Sequence, residues 1–264
     1  DKGRGNAVKI MGRALAALST AGARMSAING GNKHNAIPRE CEAVLLIPRQ
    51  KLDEAARVIG GVNATIKAEL ATVEPDLLIS LSTMKTRKTI KVLKKAEQRR
   101  ILQTLSALPH GVMKMSADIP GLVETSTNVA VIKTIKDSIK VATSQRSSVA
   151  SEITEIAETV SVIFELGGAL VETNDGYPGW KPNMDSPILS LAKSAYRSLY
   201  GKDPEVKAIH AGLECGILGE RIPGMDMLSF GPTLEGVHSP DEKIHIDTVE
   251  KFWNFLLEIL RKAD

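Results

Sequence analysis

Apolar residues recur at the three- and four-residue spacing of a helix in several stretches of the chain. The pattern runs over Asn6–Leu18, Lys51–Leu70 and Val149–Leu166, and Gly22 follows the first stretch as a stop signal. We predict one helix in each of these stretches. A fourth helix is predicted over residues 83–108, where an apolar stripe lies opposite a run of basic residues.

Two pairs of segments show the alternation that is typical of strands. Residues 23–31 and Cys41–Pro48 flank a connection rich in Asn and Pro, which predicts an antiparallel pair. Val123–Ile135 and residues 139–148 alternate on either side of a short turn and predict a second hairpin. A further strand is predicted at Ala169–Thr173. Together these elements predict an α+β sandwich, with helices on one face of the sheet.

The texture changes at Asp175, where three prolines and two glycines fall within the stretch DGYPGWKPNMDSP. We place a domain boundary there, which gives domains 1–175 and 176–264. Beyond it we predict helices at Ile188–Tyr200 and Thr248–Leu260 and strands at Val206–His210 and Asp226–Phe230. A unit this short with two strands is an incomplete α/β domain.

Composition excludes several classes of function. The formal net charge of +3 is too small to indicate a nucleic-acid partner. The basic run Lys85–Arg100 has no aromatic residues among its cations, so a solvated helix surface is favoured over a phosphate-binding face. No apolar run approaches the roughly 20 residues of a membrane span, and the first residues lack the apolar core of a signal peptide. We expect a soluble cytoplasmic protein without a membrane or nucleic-acid partner.

The two cysteines, Cys41 and Cys215, lie far apart in the sequence and form no CxxC pair. Reduced, partly buried thiols are the favoured interpretation. A nucleophilic role for Cys215 beside Glu214 is the lesser alternative.

The segment from Lys207 to Ile246 is the richest in chemistry, because glycine turns alternate with carboxylates and a histidine. Its acid, base and metal-ligand candidates are Glu214, His238, Asp241 and Glu242. One histidine is too few for a hydrolytic zinc centre, which commonly needs three protein ligands. The segment therefore predicts part of an active site.

Five sequence blocks in one order carry a resemblance to a known family. They are GGNKHNAIPRE, VETSTNVAV, GYPGWKPN, IHAGLECGIL and GPTLEGVHSPDEKIHI, at residues 30–40, 123–131, 176–183, 209–218 and 231–246. The chain resembles the dinuclear zinc dipeptidases of the aminoacyl-histidine dipeptidase type, also called peptidase D or cytosol non-specific dipeptidase. Each block alone is a weak signal, whereas five in order are specific.

The resemblance implies an architecture and an assembly. Members of that family have an α/β catalytic domain, built from both ends of the chain, with an inserted lid that often dimerises. Residues 1–175 are similar to the lid and dimerisation domain, and residues 176–264 to the C-terminal portion of the catalytic domain. The implied fold class is α/β, with an α+β lid of hairpins and helices and an incomplete zinc-peptidase domain. A homodimer through the lid is expected.

The resemblance also implies roles at the metal and the substrate carboxylate. His238, in EGVHSPDE, matches the last ligand of a centre that holds two Zn²⁺ ions. Arg146 matches the lid arginine that grips the carboxylate of the dipeptide substrate, and a solvated strand-end arginine is the alternative. The HxD pair, the bridging aspartate, the Glu–Glu pair with the general base and another aspartate ligand of the family are not found here. We therefore expect a fragment that is inactive alone.

The remaining site candidates also come from the resemblance. Asn128 and Asn35 match lid asparagines near the substrate, although either amide can simply satisfy a turn. His210, Gly212 and Glu214 match a glycine-rich loop beside the metals, with a helix N-terminal carboxylate as the alternative for Glu214.

The other three histidines, His34, His110 and His245, gain no such support and are interpreted as surface or packing residues. The rival function is a non-catalytic interaction module, in which an exposed hairpin edge pairs with its copy.

Overall fold

The computed structural model describes residues 2–85, 89–174, 176, 178–181, 183–207, 214–236 and 242–263. The chain divides into two compact units. The first comprises Asp1–Ser147 with Ser151–Asp175, and the second comprises Ser148–Ala150 with Gly176–Asp264.

Four α-helices form the helical layer of the first unit. They are α1 (Ala7–Thr20), α2 (Leu52–Glu69, after a 3-10 turn at Arg49–Lys51), α3 (Lys95–Ala107) and α4 (Ala150–Leu166). The first helix begins where it does because the Asn6 side-chain oxygen accepts from the backbone N–H groups of Val8 and Lys9, at 2.9 and 3.1 Å.

Five antiparallel strands form one sheet around a long central strand. They are β1 (Arg24–Gly30), β2 (Cys41–Leu46), β3 (Gly111–Met115), β4 (Val123–Ile135) and β5 (Ser138–Ser147). Strand β5 pairs with β4 along nearly the whole length of one edge of β4. On the opposite edge β3 pairs with the first half of β4, β1 pairs only at Ile132 and Lys133, and β2 lies outside β1.

The helices and the sheet bury two aliphatic clusters between them. The larger joins α1, α3 and α4 to β1 and β4, with Val8, Ile28 and Ile132 fully buried. The smaller joins α1 to α2 through Ala14, Leu18, Ala55 and Ile59, among others. The core of this unit is thus built mainly from aliphatic side chains.

The second unit is mainly helical in its described part. It contains α5 (Pro187–Tyr200), α6 (Glu214–Arg221), β6 (Leu234–Glu235), β7 (Lys243–Ile244) and α7 (Asp247–Lys262). Ser186 caps α5, and Gly201 ends it in the left-handed conformation at φ +67°. Its core is Ala192, Ala195 and Ile259, and the Phe255 ring packs on Tyr196 and Phe230 with centroids 5.4 and 4.9 Å apart.

Helices and an antiparallel sheet agree with the predicted fold class. The two predicted hairpins form, with β1 against β2 and β4 against β5. Among the described residues, none of the helices combines the length and the apolar character that crossing a bilayer demands.

The long helix predicted over residues 83–108 is wrong for the described residues 83–85 and 89–94, because α3 begins only at Lys95; residues 86–88 lie outside the described part. Before it, Leu93 runs in an irregular segment beside β1, and its N–H donates to the Met25 carbonyl at 2.8 Å. The Arg24 guanidinium also donates to the Leu93 carbonyl. These tertiary bonds hold Leu93 outside the helix, against the larger core cluster.

Two predicted strands are absent from the described structure. Ala169–Thr173 follows the end of α4 without a partner strand, and Leu170 is wholly exposed. Asp226–Phe230 is irregular, and the Asp226 carboxylate accepts from the Ile188 N–H at the start of α5. Of the strand predicted at Val206–His210, the described residues 206 and 207 are irregular and the others lie outside the described part. Strands β3, β6 and β7 and helix α6 were not predicted.

Candidate functional site

Arg146 and Asn128 lie on the same face of the sheet. In the β4–β5 register Ser126 is opposite Arg146, and Asn128 is opposite Ser144. Residues that face each other, and residues two apart along a strand, project from one face. The alternate residues Thr127 and Val129 are buried on the helical side. The predicted carboxylate grip and one predicted asparagine therefore share the face that points away from the helices.

The Asn128 amide is held from two sides. Its Nδ2 donates to the Ala36 carbonyl at 2.8 Å, and its Oδ1 accepts from Asn6 Nδ2 at 3.4 Å. Asn35, next to Ala36 in an exposed turn, thus lies one residue from an Asn128 contact. The structure brings these two predicted residues together, with Asn128 fixing the loop that carries Asn35.

Glycine permits this loop to approach β4. Gly31 has φ +71°, and a Cβ there would lie 2.0 Å from the Ala130 carbonyl oxygen. At the other end of the loop, the Ala7 N–H donates to the Pro38 carbonyl at 3.0 Å. The GGNKHNAIPRE block is therefore a loop tied to β4 and to the start of α1.

His110 belongs to the same cluster, which the sequence interpretation missed. Its Nδ1 lies 3.4 Å from Asn6 Nδ2. Burial, and to a lesser degree the charge of Lys9, holds the pKa of His110 below its usual value of 6.5, which favours the neutral ring. Lys9 itself donates to the carbonyls of Leu105, Ser106 and Leu108 at the end of α3. An asparagine directly before a helical apolar pattern is typical of a helix cap and could have marked Asn6, whereas nothing near His110 in sequence indicates the contact.

Glu124, in the VETSTNVAV block, has a structural partner. This buried carboxylate lies 2.9 Å from Lys114 Nζ on β3. The pKa of Lys114 is raised by its hydrogen bond to Glu152, which is the larger cause, and by its hydrogen bond to Glu124. The three charges link β3, β4 and α4 at the end of β4 that is near Arg146.

In the second unit, the structure joins two of the five blocks. Gly216, buried in α6, leaves room for the Pro178 carbonyl oxygen, which a Cβ would approach to 2.4 Å. Glu214 is the first residue of α6, where a carboxylate is stabilised by the N–H groups of the first turn. This position matches the alternative that the sequence left open for Glu214. Its proposed partners in the pocket, His210 and Gly212, lie outside the described residues.

Neither thiol has the environment of a nucleophile. Burial, and to a lesser degree Glu42, raises the pKa of Cys41 to about 12. Burial also raises the pKa of Cys215, and neighbouring Glu214 adds to the increase. A raised pKa reduces the thiolate fraction at neutral pH.

The predicted metal ligand, His238, falls outside the described residues. Across the parts of the chain that are described, no three His, Cys, Asp or Glu side chains converge as a metal centre requires. The described side chains therefore do not by themselves fit a zinc site. Near this region, His245 Nε2 lies 2.9 Å from Glu235 Oε1, so this histidine has a structural partner.

Comparison with known proteins places these blocks in one family. The model of peptidase family M20/M25/M40 matches residues 25–262. The chain belongs to this peptidase family. Members of this family are generally metal-dependent, and the matched residues include all five sequence blocks.

Two similar proteins show how much of the chain shares this likeness to the family. The chain is 35% identical over 261 residues to the cytosol non-specific dipeptidase of Escherichia coli (strain K12), covering 98% of this chain and 53% of that protein. It is 40% identical to the aminoacylhistidine dipeptidase of Vibrio alginolyticus, whose crystal structure superposes with a TM-score of 0.89 over 98% of this chain and 53% of the other. The chain thus spans about half the length of the relatives it matches.

Proposed function

We propose that this chain serves a metal-dependent dipeptidase and that Arg146 binds the free carboxylate of the dipeptide. The observation that carries the proposal is the likeness to aminoacylhistidine dipeptidase over 98% of the chain at 40% identity. The shared face of Arg146 and Asn128 supports it, because a guanidinium on an open sheet face can approach a ligand with its fork of N–H donors.

Within this proposal the two asparagines have different roles. Both ends of the Asn128 amide already contact protein atoms, which suits a residue that holds the loop. Asn35 lies in an exposed turn, where its amide can donate to a substrate carbonyl or carboxylate. Substrate therefore meets Arg146 and Asn35, and Asn128 acts through the position of the loop.

The metal belongs to the proposal as well. Zinc, with His238 as one ligand, follows from the resemblance of the EGVHSPDE block, and when bound it would supply Lewis-acid activation of water. His210, Gly212 and Glu214 are proposed to line the neighbouring pocket. The described residues leave the ligand set incomplete.

A binding titration tests the carboxylate grip. We expect the chain to bind an Xaa-His dipeptide, and to bind the same dipeptide more weakly when its C-terminus is an amide. Arg146→Ala should weaken binding of the free acid by about 10- to 100-fold, since a hydrogen bond to a charged group contributes about 1.5–3 kcal/mol. Arg146→Lys should recover part of the loss, because a lysine keeps the charge without the planar fork.

Lys140 provides the matched control. It is an exposed cation on the same strand and the same face, opposite Lys133. If Lys140→Ala weakens binding as much as Arg146→Ala, the effect is general electrostatics and the assignment of Arg146 is wrong.

Assembly and location complete the proposal. We propose a homodimer through the first unit, supported by β5, which has a strand neighbour only on its β4 side among the described strands. A cytoplasmic location is inferred from the name of the E. coli relative. Light scattering that finds a monomer at high protein concentration would exclude the dimer.

A further inference from the structure

The central strand β4 has a gap along one edge. Strand β3 pairs with β4 as far as Thr127, and β1 pairs only at Ile132 and Lys133. Among the described strands none pairs with the four residues between, 128–131, on that edge, although the loop after β1 approaches Ala130 at Gly31. Asn6 fills part of this gap, because its Nδ2 donates to the Val129 carbonyl at 2.9 Å. The nearly fully buried Asn6 side chain thus supplies to β4 a hydrogen bond that a neighbouring strand would otherwise supply.

Every hydrogen-bonding position of the Asn6 amide is used. Its Oδ1 accepts the two N–H groups that begin α1. Its Nδ2 carries two protons for three acceptors, which are Val129 O at 2.9 Å and Asn128 Oδ1 and His110 Nδ1 at 3.4 Å each. One proton goes to the carbonyl, and the other is shared between the asparagine oxygen and the histidine nitrogen.

This sharing fixes the orientation of Asn128. A donor at its Oδ1 end keeps its Nδ2 end directed at the Ala36 carbonyl, 2.8 Å away. The reverse orientation would set the Asn128 amide nitrogen against another NH₂ group and its oxygen against a carbonyl oxygen. The orientation of Asn6 is set in turn by the helix N–H groups on its other end.

We propose that Asn6 is a positioning residue for the substrate-binding face: it orients Asn128, and through Asn128 it holds the loop that carries Asn35. The role at the substrate rests on the proposed function, whereas the hold on the loop does not. Asn6 touches no substrate in this scheme, so it acts only through Asn128.

The alternative is that Asn6 only caps α1. Asn6→Ser separates the two roles, because serine is as good a cap as asparagine but has no NH₂ group. Asn6→Ala removes both. A cap-only role predicts that Asn6→Ser behaves as wild type.

Amide hydrogen exchange on the full chain measures the outcome. We expect Asn6→Ser to raise exchange at Gly31 and Ala36, whose N–H groups bond to Glu40 and Lys33 carbonyls, by about tenfold or more. The amides of α1 should keep wild-type exchange. Unchanged loop exchange in Asn6→Ser would overturn the proposal.

A double-mutant cycle sharpens the test. If Asn6 acts through Asn128, then Asn128→Ala should add little to the loop exchange of Asn6→Ser, whereas independent residues would give additive effects. Additive effects would contradict the chain of contacts. Where the variants fail to fold, the side-chain NH₂ signals of the unaltered protein decide: the Asn6 NH₂ protons must exchange slowly with solvent, and rapid exchange would overturn the bond to Asn128.

The dipeptide titration keeps the two proposals distinguishable. Asn6→Ser should weaken Xaa-His binding by about five- to tenfold if the loop presents Asn35 to the ligand. If wild type binds no dipeptide, the proposed function fails, and loop exchange alone decides the role of Asn6. If dipeptide binds and Asn6→Ser changes exchange but not affinity, the loop is held by Asn6 but does not serve the substrate, and that half of the proposal is wrong.

Discussion

The two units of the chain bury their apolar side chains in different ways. In the first unit, aliphatic residues from helices and strands meet in two clusters beneath a five-stranded sheet. In the second, the described core is two alanines and Ile259, with packed aromatic rings around it. Eight of the nine aromatic residues of the chain fall in residues 176–264, and only Phe164 does not.

The difference shows what a sheet contributes. A broad sheet face accepts many branched aliphatic side chains at once, whereas helices with two-residue strands offer narrow contacts that large rings fill better. Helix α7 shows how narrow these contacts are. It packs Phe255 and Ile259 inward but leaves Trp253 and Leu260 more than half exposed. Stability should therefore be distributed unequally between the units.

The largest effect is expected from a truncation in the first core. Ile132→Ala removes a fully buried side chain beneath the sheet and should cost about 3–4 kcal/mol of unfolding free energy. Ile259→Ala, in the small core of the second unit, should cost about 1–2 kcal/mol because fewer neighbours surround the cavity. Denaturant unfolding followed by hydrogen exchange in each unit measures both. Equal costs would contradict the contrast between the units.

A second effect tests the loop against β4. Gly31→Ala combines a left-handed backbone with a Cβ 2.0 Å from the Ala130 oxygen, and it should destabilise the first unit by about 2–3 kcal/mol. Gly121→Ala is the matched control, since Gly121 has φ +81° but open space at its Cβ, so only about 1 kcal/mol of backbone strain is expected there. If the two variants lose the same stability, the close approach to β4 does not matter.

The pH dependence of the first unit gives a smaller effect. Because the folded pKa of His110 lies below its unfolded value of 6.5, protonation favours the unfolded chain. Stability from this group is fully present above pH 6.5 and declines as the pH falls through the folded pKa. His110→Gln should flatten that decline in unfolding free energy measured against pH. Exposed His34 is the control, and a decline that His34→Gln removes equally would exclude His110 as its source.

The smallest effect should be a gain. Gly60 lies in the interior of α2, exposed and with nothing near its Cβ position. Gly60→Ala should therefore stabilise the first unit by about 0.5–1 kcal/mol, measured as a shift of the unfolding midpoint. A loss of stability would show that this surface of α2 makes a contact that alanine disturbs.

Local patterns predicted the elements whose burial follows their own periodicity. The helices near residues 7–20, 52–69, 150–166 and 187–200 and both hairpins belong to this group, because each has one apolar face and turn residues at its ends. Residues 89–94 do not belong to this group. Their pattern is helical, but the Leu93 N–H bonds to the Met25 carbonyl of β1. The strand predicted at 169–173 failed because alternation cannot show that no partner strand lies beside it.

The candidate site divides in the same way. The blocks around Arg146 and Asn128 could be matched in the sequence, and the strand register then put the two residues on one face. That the Asn128 amide bonds to the loop, and that the Asn6 amide contacts both Asn128 and His110, could not be foreseen. Asn6 is more than a hundred positions from both His110 and Asn128, and no periodicity reports a contact at that distance.

The sequence by itself determined the helix faces, the hairpins, the glycine that ends α1 and the family to which the blocks belong, since each depends on neighbours along the chain. Only the tertiary structure decided that β4 has a gap in its edge and that a helix cap fills it. The physical reason is that a buried amide must satisfy all of its donors and acceptors, and the groups that satisfy Asn6 come together only after the sheet and α1 have packed.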